Sequence, residues 1–224
     1  MKIVHPLFSR GLRLTALLTV FAWVALSLSS NAFAASSKNE KVSRIAPQAT
    51  EVPDGKVEVI EFFSYLCNHC ASLNPHVDTW KKTLPDDVVF RKIPVSWGGA
   101  QWNAMARTFY ALDAIGEESR LSPDIFDALH KERINLTDKK TFLDWAEKKG
   151  VDRKKLEEMY DSFAVNSKVM QSEKKAKSYE VSSVPRFYID GRYEINTEAV
   201  GSTSLLLSTI DEVIETVRKE AKKK

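Results

Sequence analysis

Two cysteines separated by two residues, Cys67-Asn68-His69-Cys70, are the residues of this sequence best suited to chemistry, and the chain contains no others. A pair at this spacing can pass between dithiol and disulfide, exchanging bonds with other thiols when a thiolate attacks a disulfide sulfur. Two competing uses of the pair fit less well. A structural zinc site would need a second Cys-x-x-Cys or a closely spaced histidine pair, and His5, His69, His76 and His130 form no such pair. A purely structural disulfide across two residues would close too small a loop to restrain much of the unfolded chain.

The neighbouring sequence positions the thiols. Residues 56–63 are rich in β-branched and aromatic side chains and read as a strand. Leu73, Val77 and Trp80 then recur at helical spacing, so a helix follows to about residue 83, with Pro75 expected to kink it. Both cysteines thus fall at the start of a helix. Unpaired N–H groups and the positive end of the macrodipole favour a thiolate over a thiol there, which makes Cys67 the candidate nucleophile. Leu84-Pro85-Asp86-Asp87 reads as a turn and residues 88–93 as a second strand. Strand, helix and strand make a right-handed unit with parallel strands.

The ends of the chain bear on compartment. Lys2, Arg10 and Arg13 precede an apolar stretch over residues 14–28, and Ala32-Phe33-Ala34 resembles a cleavage site, so residues 1–34 read as a secretory signal peptide. The stretch is shorter than the ~20 residues of a spanning helix, which disfavours an uncleaved anchor, and no cysteine follows it to carry a lipid. Loss of those three basic residues from 33 leaves 30 against 30 acidic residues. The near-neutral balance gives no reason to expect nucleic acid as a partner. An exported protein with one cysteine pair points toward making disulfides rather than reducing them. About 190 residues remain, enough for one domain carrying an insertion.

Residues 35–54 are polar, contain Pro47 and Pro53, and suggest a loose lead-in with one short edge strand. Residues 97–179 are helical throughout. Trp102, Met105, Phe109 and Leu112 form an apolar stripe ended by Gly116, and Ser122-Pro123 reads as a cap followed by proline at the first helical position. Thr137 is expected to cap a helix with Phe142, Leu143, Trp145 and Ala146 on its buried face and Gly150 at its stop. Leu156, Met159, Tyr160 and Phe163 continue the pattern, followed by Val165, Val169, Ala176 and Tyr179. These stripes read as core rather than as a ligand box. Residues 186–189 and 192–195 flank Asp190-Gly191, a strong hairpin signal. A last helix from about Ser202 carries Leu206, Ile210, Val213 and Val217, with a basic end, residues 218–224, expected to be solvated.

The order β, α, β, helices, β, β, α, with Cys-x-x-Cys opening the first helix, resembles an α/β thioredoxin fold with an inserted all-helical domain. Together with Phe62-Phe63-Ser64, His69 and Val184-Pro185, it is similar to the DsbA family of periplasmic thiol oxidases over nearly all of the mature chain. The resemblance implies a first part at residues 35–96, an insertion at 97–179 and a second part at 180–224. It implies that Cys67 forms mixed disulfides with reduced, unfolded exported proteins, that Cys70 is its buried partner, and that Val184 and a cis Pro185 border the substrate groove. It further implies a monomer, reoxidation by a DsbB-like quinone-linked membrane protein, and no cofactor or metal. Glu61 and Lys92 match an acid and a lysine that the family buries beneath the disulfide to help proton movement; an ordinary strand-end ion pair is the alternative. His69 is expected to stabilise the thiolate, or else to be a plain solvent-exposed loop residue. Two departures bear on oxidising strength: the family's central Pro-His is Asn68-His69 here, and an acid one turn after the cysteines is Asn74.

Three other functions remain open at this level. An isomerase or exported reductant would use the same cysteines, although the isomerases of this fold carry an N-terminal dimerisation domain for which the lead-in leaves no room. A non-enzymatic holdase would survive loss of both thiols. A glutathione-dependent transferase or isomerase of related fold would have no use for Cys70.

Overall fold

The computed structural model describes residues 40–223, so the signal peptide expected at residues 1–34 lies outside the described residues. A short strand β1 (Val42–Arg44) is followed by β2 (Val57–Phe63), all seven residues of which are buried. Helix α1 (Asn68–Trp80) and a 3-10 turn (Lys81–Thr83) lead to β3 (Val88–Pro94), which pairs with β2 in parallel. Five helices follow: α2 (Ala100–Ala114), α3 (Glu118–His130), α4 (Lys139–Lys148), α5 (Arg153–Tyr160) and α6 (Phe163–Ser178). The chain then returns as β4 (Arg186–Ile189) and β5 (Tyr193–Ile195), a short α7 (Thr197–Val200), and the closing α8 (Thr203–Ala221). The sheet order β1-β5-β4-β2-β3 puts β2 at the inner position from which the cysteine loop departs. This is the α/β thioredoxin fold with helices inserted after its βαβ unit.

Burial on both faces explains why β2 carries apolar side chains on both faces rather than on alternate positions only, with Glu58 and Glu61 as its two buried charged residues. On one face, Val57 and Val59 pack with Leu73, Val77 and Trp80 of α1 and with Leu206, Ile210 and Val213 of α8. On the other, Ile60 and Phe62 meet Tyr188, Ala176 and Tyr179. Past the end of the strand, Phe63, Tyr65 and Cys70 join the core of the inserted helices, with Phe109, Leu121, Phe126 and Phe142. The redox loop is therefore packed against the insertion, not only against the sheet.

Several local expectations need correction. Ser122 and Pro123 lie inside α3, which starts four residues earlier at Glu118. The helix extends back because Leu121 belongs to the same buried stripe as Ile125 and Phe126, and Pro123 is tolerated on an exposed face, where the carbonyl it leaves unpaired meets water. Asp138, not Thr137, caps α4, accepting the Thr141 N–H at 2.8 Å, while the Thr137 hydroxyl is taken by Asn135. Phe163 is 84% exposed, because Ser162 caps a new helix there and the stripe of Leu156 and Tyr160 loses phase. The basic end of α8 is not wholly solvated: Arg218 Nε donates to Asp87 Oδ2 at 2.8 Å, tying the helix to the turn before β3. The hairpin forms as its sequence implies, with positive φ at Asp190 and Gly191; a Cβ on Gly191 would stand 2.3 Å from the Gln48 carbonyl oxygen.

Candidate active site

Cys67 is the N-cap of α1, with extended backbone (φ −89°, ψ 118°), and its sulfur accepts the Cys70 N–H at 3.3 Å. A side chain other than Ser, Thr, Asp or Asn at an N-cap leaves the first helical N–H groups short of acceptors, so a thiolate here receives bonds that a neutral side chain would not exploit as well. The loop before it is pinned by Ser64, whose carbonyl accepts from the Cys67 N–H at 3.1 Å and whose hydroxyl accepts from the Leu66 N–H at 3.1 Å. Both cysteines are free thiols in this structure, a dithiol state. Cys67 is half-buried, whereas Cys70 is 1% exposed among Phe63, Tyr65 and their neighbours. Asn68 and His69 are exposed between them.

Ionisation follows the same asymmetry. The Cys67 thiol is pulled from 9.0 down to about 6, chiefly by a hydrogen bond from the Cys70 thiol, then by the backbone N–H groups of Cys70 and His69 and the electrostatic influence of His69, all against the cost of burial. Burial pushes the Cys70 thiol up, as do its bond to Cys67 and the negative charges of Glu61 and Cys67. One sulfur is presented as a thiolate near neutrality, and the other is kept as a thiol.

Val184 and Pro185 lie beside Cys67, although more than a hundred residues separate them in sequence. Their peptide bond is cis, and the Cys67 thiol donates to the Val184 carbonyl at 3.4 Å. In the thiol form, Cys67 thus occupies the Val184 carbonyl. Only a thiol can donate there, so ionisation of Cys67 releases the carbonyl.

Beneath the cysteines, Glu61 is buried and its Oε2 has no partner. Desolvation raises its carboxyl from 4.5 to about 7; Asp78, Glu118 and Cys67 push the same way and Lys92 opposes them. Glu61 and Lys92 are register partners on β2 and β3. They form no ion pair among the described residues, so the strand-end ion pair is not what this structure contains. The Lys92 ammonium instead donates to Asn74 Oδ1 at 2.7 Å and lies 4.5 Å from the centroid of the Phe63 ring.

The structure adds partners that spacing did not reveal. Tyr65, two residues before Cys67, donates its hydroxyl to Glu118 Oε1 at 2.9 Å, and its carbonyl lies 2.7 Å from His130 Nε2. Glu118 and His130 are the two ends of α3, so one inserted helix grips the loop twice. Tyr65 and Glu118 stand 53 positions apart, so no local signal marks the pair. Asp78, by contrast, is four residues past Asn74 on α1 and was findable as an i, i+4 partner. A groove of about 1130 Å³ runs along the β3 edge between Arg91, Lys175 and Tyr179, and neither cysteine nor Val184 lines it. Cys67, half-buried beside the exposed Asn68 and His69, is the sulfur within reach of a polypeptide substrate, while Cys70 is covered.

A Cys-x-x-Cys that opens the helix after a central strand, facing a cis-proline, defines a dithiol–disulfide exchange protein of the thioredoxin class. Comparison with known proteins narrows this. The family described as DSBA-like thioredoxin domain matches residues 58–208. Thiol:disulfide interchange protein DsbA of Bordetella parapertussis is 35% identical over 206 residues, covering 92% of this chain and 97% of that protein. The protein of the same name from Pseudomonas aeruginosa is 32% identical over 214 residues, covering 96% of this chain and 100% of that one. The crystal structure of Pseudomonas aeruginosa DsbA is similar with a TM-score of 0.77 and 33% identity, over 81% of this chain and 94% of that one. The chain belongs to the DsbA family of thioredoxin-fold thiol:disulfide oxidoreductases.

Proposed function

We propose that this protein is a thiol oxidase that donates a Cys67–Cys70 disulfide to newly exported proteins. The observation that carries the reading is the contrast between a half-exposed, readily ionised Cys67 and a buried Cys70 whose thiol resists ionisation. A client thiolate attacks Cys67 Sγ; the Cys67–Cys70 bond breaks and Cys70 leaves, taking up a proton. A second client thiolate attacks the client sulfur of the mixed disulfide and expels Cys67 as a thiolate. Two electrons pass to the enzyme, and the client gains one disulfide. A leaving group of low pKa favours the second step, and the same stabilised thiolate favours the reduced enzyme over its disulfide.

In this reading, Glu61, protonated up to about pH 7, is the proton store beside Cys70, and Lys92 tunes it. His69 supports the Cys67 thiolate, Asn68 sets the exposed turn between the sulfurs, and Val184 and Pro185 border the client. The insertion spans residues 97–179, between thioredoxin-like parts at 35–96 and 180–224. The N-terminal signal favours a periplasmic location, with reduced unfolded proteins as substrates and a DsbB-like membrane quinone reductase restoring the disulfide. No described helix is long and apolar enough to cross a membrane.

Mixing the oxidised protein with an equimolar reduced, unfolded client bearing two thiols tests this. One client disulfide is expected per enzyme dithiol formed, and a Cys67→Ser/Cys70→Ser variant should form none. A client left fully reduced would overturn the oxidase reading; a double variant that still prevents client aggregation would favour a holdase.

A further inference from the structure

We infer that Asn74, anchored by Asp78, acts as an amide lock that holds the Lys92 ammonium off Glu61 and so denies this buried carboxyl a direct ion pair. Neighbouring strands that place an acid and a lysine side by side on one face ordinarily pair them. Here the register sets Glu61 beside Lys92, yet Lys92 Nζ bonds Asn74 Oδ1 at 2.7 Å while Glu61 Oε2 stays unpartnered. The ammonium is held from a second side by the rings of Phe63 and Phe126, at 4.5 and 5.8 Å.

The lock has only one working orientation. Asn74 is buried, and its Nδ2 donates to Asp78 Oδ2 at 2.8 Å. A carboxylate can only accept and an ammonium can only donate, so the amide must turn its nitrogen to Asp78 and its oxygen to Lys92. On the solvent side, Lys81 Nζ lies 3.9 Å from Asp78 Oδ1. One carboxylate on the outer turn of α1 thereby decides where a half-buried lysine on β3 points. The charged groups around Glu61 are Lys92 on β3, Asp78 on α1, Glu118 on α3 and Cys67 in the loop, and of these only Lys92 favours the ionised carboxyl. Desolvation holds Glu61 protonated near neutrality, beside the Cys70 that must gain a proton when the disulfide opens, and the diverted Lys92 opposes it without a direct bond.

Asn74 and Asp78 are thus positioning residues acting through Lys92. The consequence for turnover rests on the thiol-exchange reading above, but the titration of Glu61 does not, so the two can fail separately. The test follows the Glu61 carboxyl directly by infrared difference titration of the dithiol protein, with Glu61→Gln to assign the band. In Asn74→Leu, Lys92 loses its amide acceptor and turns to Glu61, and the midpoint should fall by about one pH unit or more, a tenfold or greater loss of proton affinity, as expected for a carboxylate that gains an opposite charge within a few ångströms. Asp78→Ala, which frees the amide, should act in the same direction, while Asp78→Asn, which keeps an acceptor for Asn74 Nδ2, should shift the midpoint less. The pH profile of thiol exchange should move with Asn74→Leu and cease to respond to it in a Glu61→Gln background. An unchanged or raised midpoint in Asn74→Leu would overturn the lock. Should Asn74→Leu fail to fold, equal shifts in Asp78→Ala and Asp78→Asn would overturn it instead, since the charge of Asp78 alone would then account for both.

Discussion

Cys70→Ser protein, given an unfolded client whose single cysteine is capped as an aryl disulfide, is expected to accumulate a covalent complex through Cys67. The Cys67 thiolate attacks the client sulfur and the aryl thiolate, the better leaving group, departs. In the parent, Cys70 then attacks Cys67 from a position where its N–H already lies 3.3 Å from the same sulfur, and the client is released as a thiol. Such intramolecular attack has a large effective concentration, so the complex should live at least about a hundredfold longer once Cys70 is gone. Cys67→Ser should form no complex. Because the attacking species is the thiolate and Cys67 of the parent, bonded by the Cys70 thiol, titrates near 6, the parent's rate of attack should reach half its plateau near pH 6 and fall about tenfold per unit below it. Non-reducing electrophoresis and quenched-flow alkylation read both quantities; a complex as short-lived in Cys70→Ser as in the parent, or a half-point near 9, would contradict the assigned roles.

Glu61→Gln is expected to stabilise the dithiol protein in alkali while leaving it little changed in acid. The native carboxyl keeps its proton up to about pH 7, whereas in the unfolded chain it ionises near 4.5. Between those values the native state binds more protons than the unfolded state, so stability is highest below 4.5, declines as pH rises and levels off above 7. A rise from 4.5 to about 7 corresponds to about 3 kcal/mol at ~1.4 kcal/mol per unit, with no discount for exposure because the group is fully buried. Urea unfolding at pH 4 and pH 8 should therefore separate variant from parent by up to about 3 kcal/mol only at the higher pH. Parallel stability profiles would mean that Glu61 is ionised in the native state and stores no proton. The strain on native stability is the expected companion of a group retained for function.

What was legible in the sequence was whatever local pattern dictates. The apolar run of β2, the i, i+4 stripe of Leu73 and Val77 and the Asp190-Gly191 turn each specify their element with no help from distant residues. The cysteines could be placed at a helix start for the same reason. Helix beginnings inside the insertion were less legible, because burial of Leu121 overrides the cap-and-proline signal at Ser122-Pro123 and a fresh cap at Ser162 turns Phe163 outward. At the site, the identities of Glu61 and Lys92 were readable but their relation was not. Register makes them neighbours, and the direction of the lysine is decided by an amide 18 residues away. The grip of α3 on Tyr65 at Glu118 and His130 is a product of tertiary packing alone.

A strong oxidase requires that its dithiol be favoured over its disulfide, since the stabilised Cys67 thiolate exists only after reduction. The most direct measurement is the equilibrium between this protein and mixtures of reduced and oxidised glutathione near pH 7, read by tryptophan fluorescence or by alkylation of the two thiols. The expected result is a protein that becomes reduced at low concentrations of glutathione, even in excess glutathione disulfide, with the preference diminishing as pH falls through about 6 and Cys67 takes up its proton. A protein that keeps its disulfide in millimolar reduced glutathione would contradict the claim, because so stable a bond would be a reductant's disulfide and could not be donated to clients.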